Sequence, residues 1–160
     1  MSKFIMLIGL PGSGKSTYTK ELMAKEPESQ YVVLSTDDMI DRIAKDKGKT
    51  YSEVYPEINL NALTKVMKGQ FKAALAKGSN IILDRTNMSA KRRKEFLDAI
   101  PEGYEKIAVV FSISDTLLKE RLAHRAATTG KFIPPMVLTT MARSYVAPTK
   151  SEFDKIITIK

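Results

Sequence analysis

Eight residues near the N-terminus, Gly9-Leu10-Pro11-Gly12-Ser13-Gly14-Lys15-Ser16, hold glycines, a lysine and a hydroxyl at the spacing G-x-x-x-x-G-K-[ST]. That set of residue types is suited to a chain of phosphates. Glycines allow backbone N–H groups to turn inward on phosphate oxygens, and a helix that follows points its positive N-terminus at them. Lys15 is expected to reach the β- and γ-phosphates and Ser16 to hold magnesium. Gly12, Ser13, Gly14, Lys15, Ser16 and Thr17 form the expected ATP-binding set. A chance glycine-rich turn would not require a strand before it and a helix after it. Here Phe4–Ile8 is a short apolar run of strand type, and Thr17 to Met23 has helical character.

Three further groups could act on a bound triphosphate. Asp37, in Ser35-Thr36-Asp37-Asp38, is the candidate that orients an acceptor hydroxyl and takes its proton. The alternative is that Thr36, Asp37 or Asp38 caps the helix running through Ile40 and Ile43. Asp84 closes the apolar run Ile81-Ile82-Leu83, where an acid can reach magnesium through water. Thr86 and Asn87 follow, either as acceptor-binding groups or as turn residues ahead of Ser89. Arg121 and Arg125 are four apart and share a helix face. They are expected on a mobile lid, approximately residues 121–135, that neutralises charge on the transferring phosphoryl group; the alternative is a solvated basic face. His124 reads as surface helix. Lys91-Arg92-Arg93-Lys94 is the densest positive run, read either as a contact for a nucleic-acid backbone or as a solvated helix face.

The elements that must position these groups alternate regularly. Further strands are expected at Tyr31–Leu34, Asn80–Leu83, Ile107–Phe111 and Ile156–Ile159. Leu60, Leu63, Met67, Phe71, Ala74 and Leu75 recur at helical steps, and Gly78 follows as a stop signal. Ser89 and either Ser114 or Asp115 are expected N-caps, and Pro134-Pro135 opens a last helix. Strands alternating with helices imply a parallel sheet covered on both faces. The expected fold is α/β: a P-loop kinase-like three-layer sandwich with a five-stranded parallel sheet and an arginine-bearing lid, in one domain over residues 1–160. Ligands in such sheets lie beyond the C-terminal strand ends, where Asp37 and Asp84 fall.

Composition restricts the setting. The chain has 160 residues, 43% hydrophobic and 28% charged, and no cysteine, so disulfides and thiolate metal sites are excluded. No apolar run approaches the roughly 20 residues of a membrane span, and the first residues do not read as a secretion leader. A cytoplasmic setting, a host's cytosol for a phage protein, is expected. The net charge of +8 favours a polyanionic partner, nucleic acid first.

Taken as an ordered set, these residues resemble the kinase module of the polynucleotide 5′-hydroxyl kinases, the phage and animal end-repair enzymes. Gly9–Thr17 is similar to that family's phosphate loop. Thr36-Asp37-Asp38 resembles its Asn-Arg-Asp segment, which implies that Asp37 is the general base. Asp84-Arg85-Thr86-Asn87 is similar to its Asp-x-Thr-Asn turn, and Arg121 and Arg125 fall on its lid arginines. Ile133-Pro134 and Ala147-Pro148-Thr149 are similar to vertebrate members. The chain departs from the pattern in two places. Thr36 stands where an arginine usually precedes the base, and the arginine expected near Ile40 is missing, with Arg42, two residues on, as the candidate to replace it in acceptor binding. No Asp-x-Asp-x-Thr phosphatase segment is present. The resemblance implies transfer of the γ-phosphate of ATP, with Mg2+, to a 5′-OH end of RNA or DNA, with substrate contacts from Asp37, Arg42, Thr86 and Asn87. Two other readings stay open. One is a kinase for a small-molecule hydroxyl. The other is a non-catalytic ATP-gated RNA-binding module, since the P-loop unit of nuclear RNA-scaffold proteins is similar around Ile82-Leu83-Asp84-Arg85-Thr86-Asn87.

Overall fold

The computed structural model describes residues 1–160. Five strands form one sheet: β1 (Ser2–Ile8), β2 (Val32–Ser35), β3 (Ile81–Asp84), β4 (Tyr104–Phe111) and β5 (Lys155–Ile159). All neighbours are parallel, in the order β2-β3-β1-β4-β5. The expected strands are all present, with ends moved by at most three residues. From β1 the chain builds one half of the sheet and then crosses to the other. This reversal of order opens a crevice at the carboxyl end of β1, where the phosphate-loop residues begin.

Alternation along each strand divides the core. Phe4, Met6 and Ile8 of β1 face one side, with Ile81, Leu83, Met67, Phe71, Phe96 and Phe153. Ile5 and Leu7 face the other, with Ile82, Ile107, Val109 and Phe111, against Tyr18 and Leu22. Near-continuous apolar strands are what a sheet buried on both faces requires.

Seven α-helices connect the strands: α1 (Lys15–Lys25), α2 (Thr36–Asp46), α3 (Tyr51–Val54), α4 (Leu60–Ala76), α5 (Ala90–Leu97), α6 (Asp115–Thr129) and α7 (Pro135–Arg143). Ser89 and Ser114 cap α5 and α6 through side-chain oxygens, as their positions indicated. Ser114, not Asp115, is the cap. The cap of α2 is Ser35, whose hydroxyl accepts from the Asp38 N–H, and not Thr36, Asp37 or Asp38. Strand β2 extends one residue further than its apolar run, so the helix begins at Thr36 and both acids occupy its first turn.

Sequence reasoning missed α3. Its signal is a capping box, with Thr50 accepting from the Glu53 N–H and Glu53 accepting from the Thr50 N–H. In the run Lys91–Lys94, Lys91, Arg92 and Lys94 are exposed on α5, as a solvated face requires, and Arg93 is the exception. Arg93 is fully buried, its guanidinium donating to both oxygens of Glu152 and to the carbonyls of Asn87 and Met88. It lies three and four residues before buried Phe96 and Leu97, on the inner face of α5.

Candidate active site

The residues after β1 form a cradle dictated by backbone conformation. Gly12 and Gly14 have φ of 81° and 108°, left-handed values that a side chain disfavours. A β-carbon on Gly9 would stand 2.6 Å from Ser13 Oγ. Gly14 begins α1 without any side-chain cap, and no acid occupies the first turn, so the first helical N–H groups stay open. Ser13 Oγ is buried and has no hydrogen-bond partner. Open amides, an orphaned hydroxyl and a lysine on one concave turn suit a phosphate chain.

The turn is braced from β3. The Gly9 N–H donates to the Thr86 carbonyl at 3.1 Å, and Asn87 Nδ2 donates to the carbonyls of Leu7 (2.7 Å) and Arg85 (3.2 Å). Asn87 is buried at φ 49°. Asn87 thus takes the turn role of the two considered, because its side-chain amide is committed to holding the cradle, while Thr86 contributes its main-chain carbonyl to the same brace. Neither they nor Arg42, which is exposed on α2, lines the cleft.

That cleft has a volume of about 1380 Å³ and runs over the carboxyl ends of the strands. Gly12, Ser13, Gly14, Lys15, Ser16 and Thr17 form its floor. Asp37, Asp38 and Asp84 stand at the ends of β2 and β3, and Arg121, His124 and Arg125 line it from α6. His124 is an exposed helix residue as expected, yet it faces the cleft. Arg121 Nη1 donates to the Gly12 carbonyl at 3.4 Å and lies 3.6 Å from where a Gly14 β-carbon would be. The arginines sit on a continuous helix that ends at Gly130, so Arg121 already lies over the cradle.

The charges within this cleft oppose one another. Lys15 Nζ donates to the Gly9 carbonyl at 2.8 Å. Burial lowers its proton affinity, Asp84 and Asp37 raise it, and Arg125 lowers it further, with a net lowering. Burial raises the Asp84 carboxyl to about 6 against the pull of Lys15, with Asp38 and Asp37 adding to the rise. Asp38 is also raised, first by burial and then by Asp41. Carboxylates beside a phosphate cradle call for a cation between them. Ser16 and Asp84 offer oxygen donors, which suit a hard divalent ion completed by substrate phosphates; no cluster of three His, Cys, Asp or Glu residues forms a separate metal site.

Two groups bonded to the acids of α2 were not anticipated from sequence. Tyr51 Oη donates to Asp37 Oδ1 at 2.7 Å, and Lys131 pairs with Asp41 at 2.7 Å. The capping box at Thr50–Glu53 could have located α3, but nothing local connects Tyr51 to a residue fourteen positions earlier.

A parallel sheet in this order, with a glycine cradle after its central strand and arginines on the helix after β4, defines a protein of P-loop kinase fold, a nucleotide-binding class. Residues 4–148 match the AAA_33 family, described as an AAA domain, and the chain belongs to that family. Among curated proteins, heterogeneous nuclear ribonucleoprotein U-like protein 2 of Homo sapiens is 25% identical over 154 residues, covering 93% of this chain and 20% of that protein. The chain therefore spans about one fifth of that relative. Adenylate kinase of Campylobacter curvus (strain 525.92) is 30% identical over 140 residues, covering 79% of this chain and 70% of the enzyme. Among solved structures, a chain of the Pnkp1/Rnl/Hen1 RNA repair complex matches with TM-score 0.69 and 28% identity, over 89% of this chain and 43% of that one. A fungal RNA kinase matches with TM-score 0.60 and 19% identity, over 99% of this chain and 74% of that one. No helix is long and apolar enough to cross a membrane.

Proposed function

We propose that this chain transfers the γ-phosphate of ATP to the 5′-hydroxyl of an RNA or DNA end, as a polynucleotide kinase of nucleic-acid end repair. The observation that supports the reading is that Asp37 lines the same cleft as the arginine that overlies the phosphate cradle. The 5′-oxygen attacks the γ-phosphorus, the bond from that phosphorus to the β,γ-bridging oxygen breaks, and ADP leaves. Asp37 orients the hydroxyl and receives its proton. Lys15 and the open amides of α1 hold the phosphates, while Arg121 and Arg125 offset the charge on the moving phosphoryl group. Ser16, and Asp84 through water, would hold magnesium, which would supply charge neutralisation at the phosphates.

The likeness to adenylate kinase favours a second reading, a small phosphorylated acceptor. The site argues against it. A phosphate acceptor has no proton that must be taken, and Asp37 and Asp38 would repel it; a hydroxyl needs what a carboxylate provides. The net charge of +8 and the likeness to the RNA repair chain support a nucleic-acid end as the hydroxyl's bearer.

Label transfer from γ-labelled ATP tests both, using 5′-OH RNA, 5′-OH DNA, nucleosides and AMP as acceptors. The expected result is transfer to the 5′-OH oligonucleotides. Asp37→Asn should lower kcat by at least about a hundredfold, and Arg125→Ala by about a thousandfold. Preferred transfer to AMP, or undiminished transfer by Asp37→Asn, would overturn the assignment.

A further inference from the structure

Tyr51 is the one side chain that binds Asp37 directly, its hydroxyl donating to Oδ1 at 2.7 Å. Its ring is held on two sides. Tyr55 stacks against it with centroids 5.7 Å apart and planes 26° from parallel, and Lys131 Nζ lies 5.1 Å from the ring centroid. Lys131 also pairs with Asp41, one helical turn beyond Asp37 on α2. The neighbouring residue fastens the same two segments. Ser52 Oγ donates to the Gly130 carbonyl and accepts from the Phe132 N–H at 3.0 Å. The connection that follows the arginine-bearing helix is thus tied to α3, and α3 to Asp37.

We propose that Tyr51 is a positioning residue for Asp37: its hydroxyl pins one carboxylate oxygen and leaves the other to face the acceptor hydroxyl. This rests on the role of Asp37 proposed above. Asp37 is exposed on the first turn of α2, so no packing fixes its carboxylate. A charge-assisted hydrogen bond from a ring that is itself held supplies that restraint. Burial, then the Asp37 charge, push the Tyr51 phenol well up, so it remains a donor at any working pH. Phosphoryl transfer through a loose transition state depends more on alignment of the nucleophile than on early removal of its proton, and so alignment dominates.

The test is Tyr51→Phe, which keeps the ring, the stack and the lysine contact. With saturating ATP and a 5′-OH oligonucleotide, kcat is expected to fall about ten- to hundredfold, the worth of a hydrogen bond to a charged group. The KM for ATP and the melting temperature should not move. In single turnovers, Tyr51→Phe should add nothing once Asp37→Asn is present. A parent-level kcat for Tyr51→Phe beside an impaired Asp37→Asn would overturn this inference alone, as would an equal fall in both backgrounds. Parent-level transfer by Asp37→Asn would overturn the proposed base and the role of Tyr51 with it.

Discussion

Asp84 stands where burial penalises its charge, and a nearby cation would reward it. Its carboxyl is raised to about 6 from an ordinary 3.8, first by burial and then by Asp38 and Asp37, against the attraction of Lys15. The folded chain therefore holds this proton more tightly than the unfolded one. Stability from this group is full below about pH 4, falls as pH rises to about 6, and is flat above. Asp84→Asn should therefore raise the stability of the ligand-free protein at pH 7.5 by up to about 3 kcal/mol, since the rise to about 6 is already net of the Lys15 attraction. The gain should vanish near pH 4, while Mg2+-dependent transfer drops at neutral pH. Thermal melts across pH, paired with turnover, check this. The phosphate cradle was legible because one turn of backbone sets its spacing, so each glycine has a local reason. Tyr51 was not, since the residue that gives it meaning is brought to it only by the packing of α3 on α2.

The helix α2 holds Asp37 by way of a serine that closes β2. Ser35 is buried, and its hydroxyl caps the N–H of Asp38 at 3.2 Å. Ser35→Ala should cost about 1 kcal/mol, seen as a lower midpoint in denaturant with an unchanged slope. Because the lost bond sits beside the proposed base, kcat should fall while the KM for ATP stays constant. The strand and helix order was readable from apolar periodicity. The cap was missed by one position because strand pairing, Ser35 against Asp84, extends β2 beyond its apolar residues. The arginine-bearing segment was legible in part for a comparable reason. Arginine spacing marked the shared face of α6 correctly, but the sequence carries no mark of what receives the end of that helix. Gly130, at φ 72°, ends α6 with its α-carbon pressed toward Thr50, where a β-carbon would lie 2.9 Å from the threonine Cβ. Gly130→Ala should therefore destabilise by about 1–2 kcal/mol for the left-handed conformation alone; a melting curve reads it.

Taken as one body, the protein is tied across its sequence by Arg93 and Glu152. Burial pushes the Glu152 carboxyl up, but donors from Arg93 and the Thr149 backbone outweigh it and hold the carboxyl below its ordinary value. The pair stabilises above the unfolded carboxylate range and loses that contribution as pH falls through the folded value. Glu152→Ala would strand a fully buried guanidinium and should cost about 3–5 kcal/mol, measured by denaturant titration at pH 7. A positive run read along the chain suggests a solvated face. Only the spacing of Arg93 to Phe96 and Leu97 hinted that one of the four turns inward. The remaining excess of cations bears on the acceptor. The KM for a 5′-OH oligonucleotide should rise steeply from 50 to 200 mM salt, whereas the KM for a nucleoside acceptor should not.

The Arg93 anchor also has a consequence for how the protein is made. A ribosome emits the glycine cradle before Asp37, Asp37 before both α6 arginines, and the carboxylate that neutralises Arg93 only 59 residues after its partner. Until that late residue emerges, the loop bracing Gly9 stands on an unpaired ion in an apolar seat. Nascent chains halted before position 152 should then fail to retain triphosphate although every phosphate-binding residue has already been synthesised, so competence arrives all at once with the segment that carries Glu152.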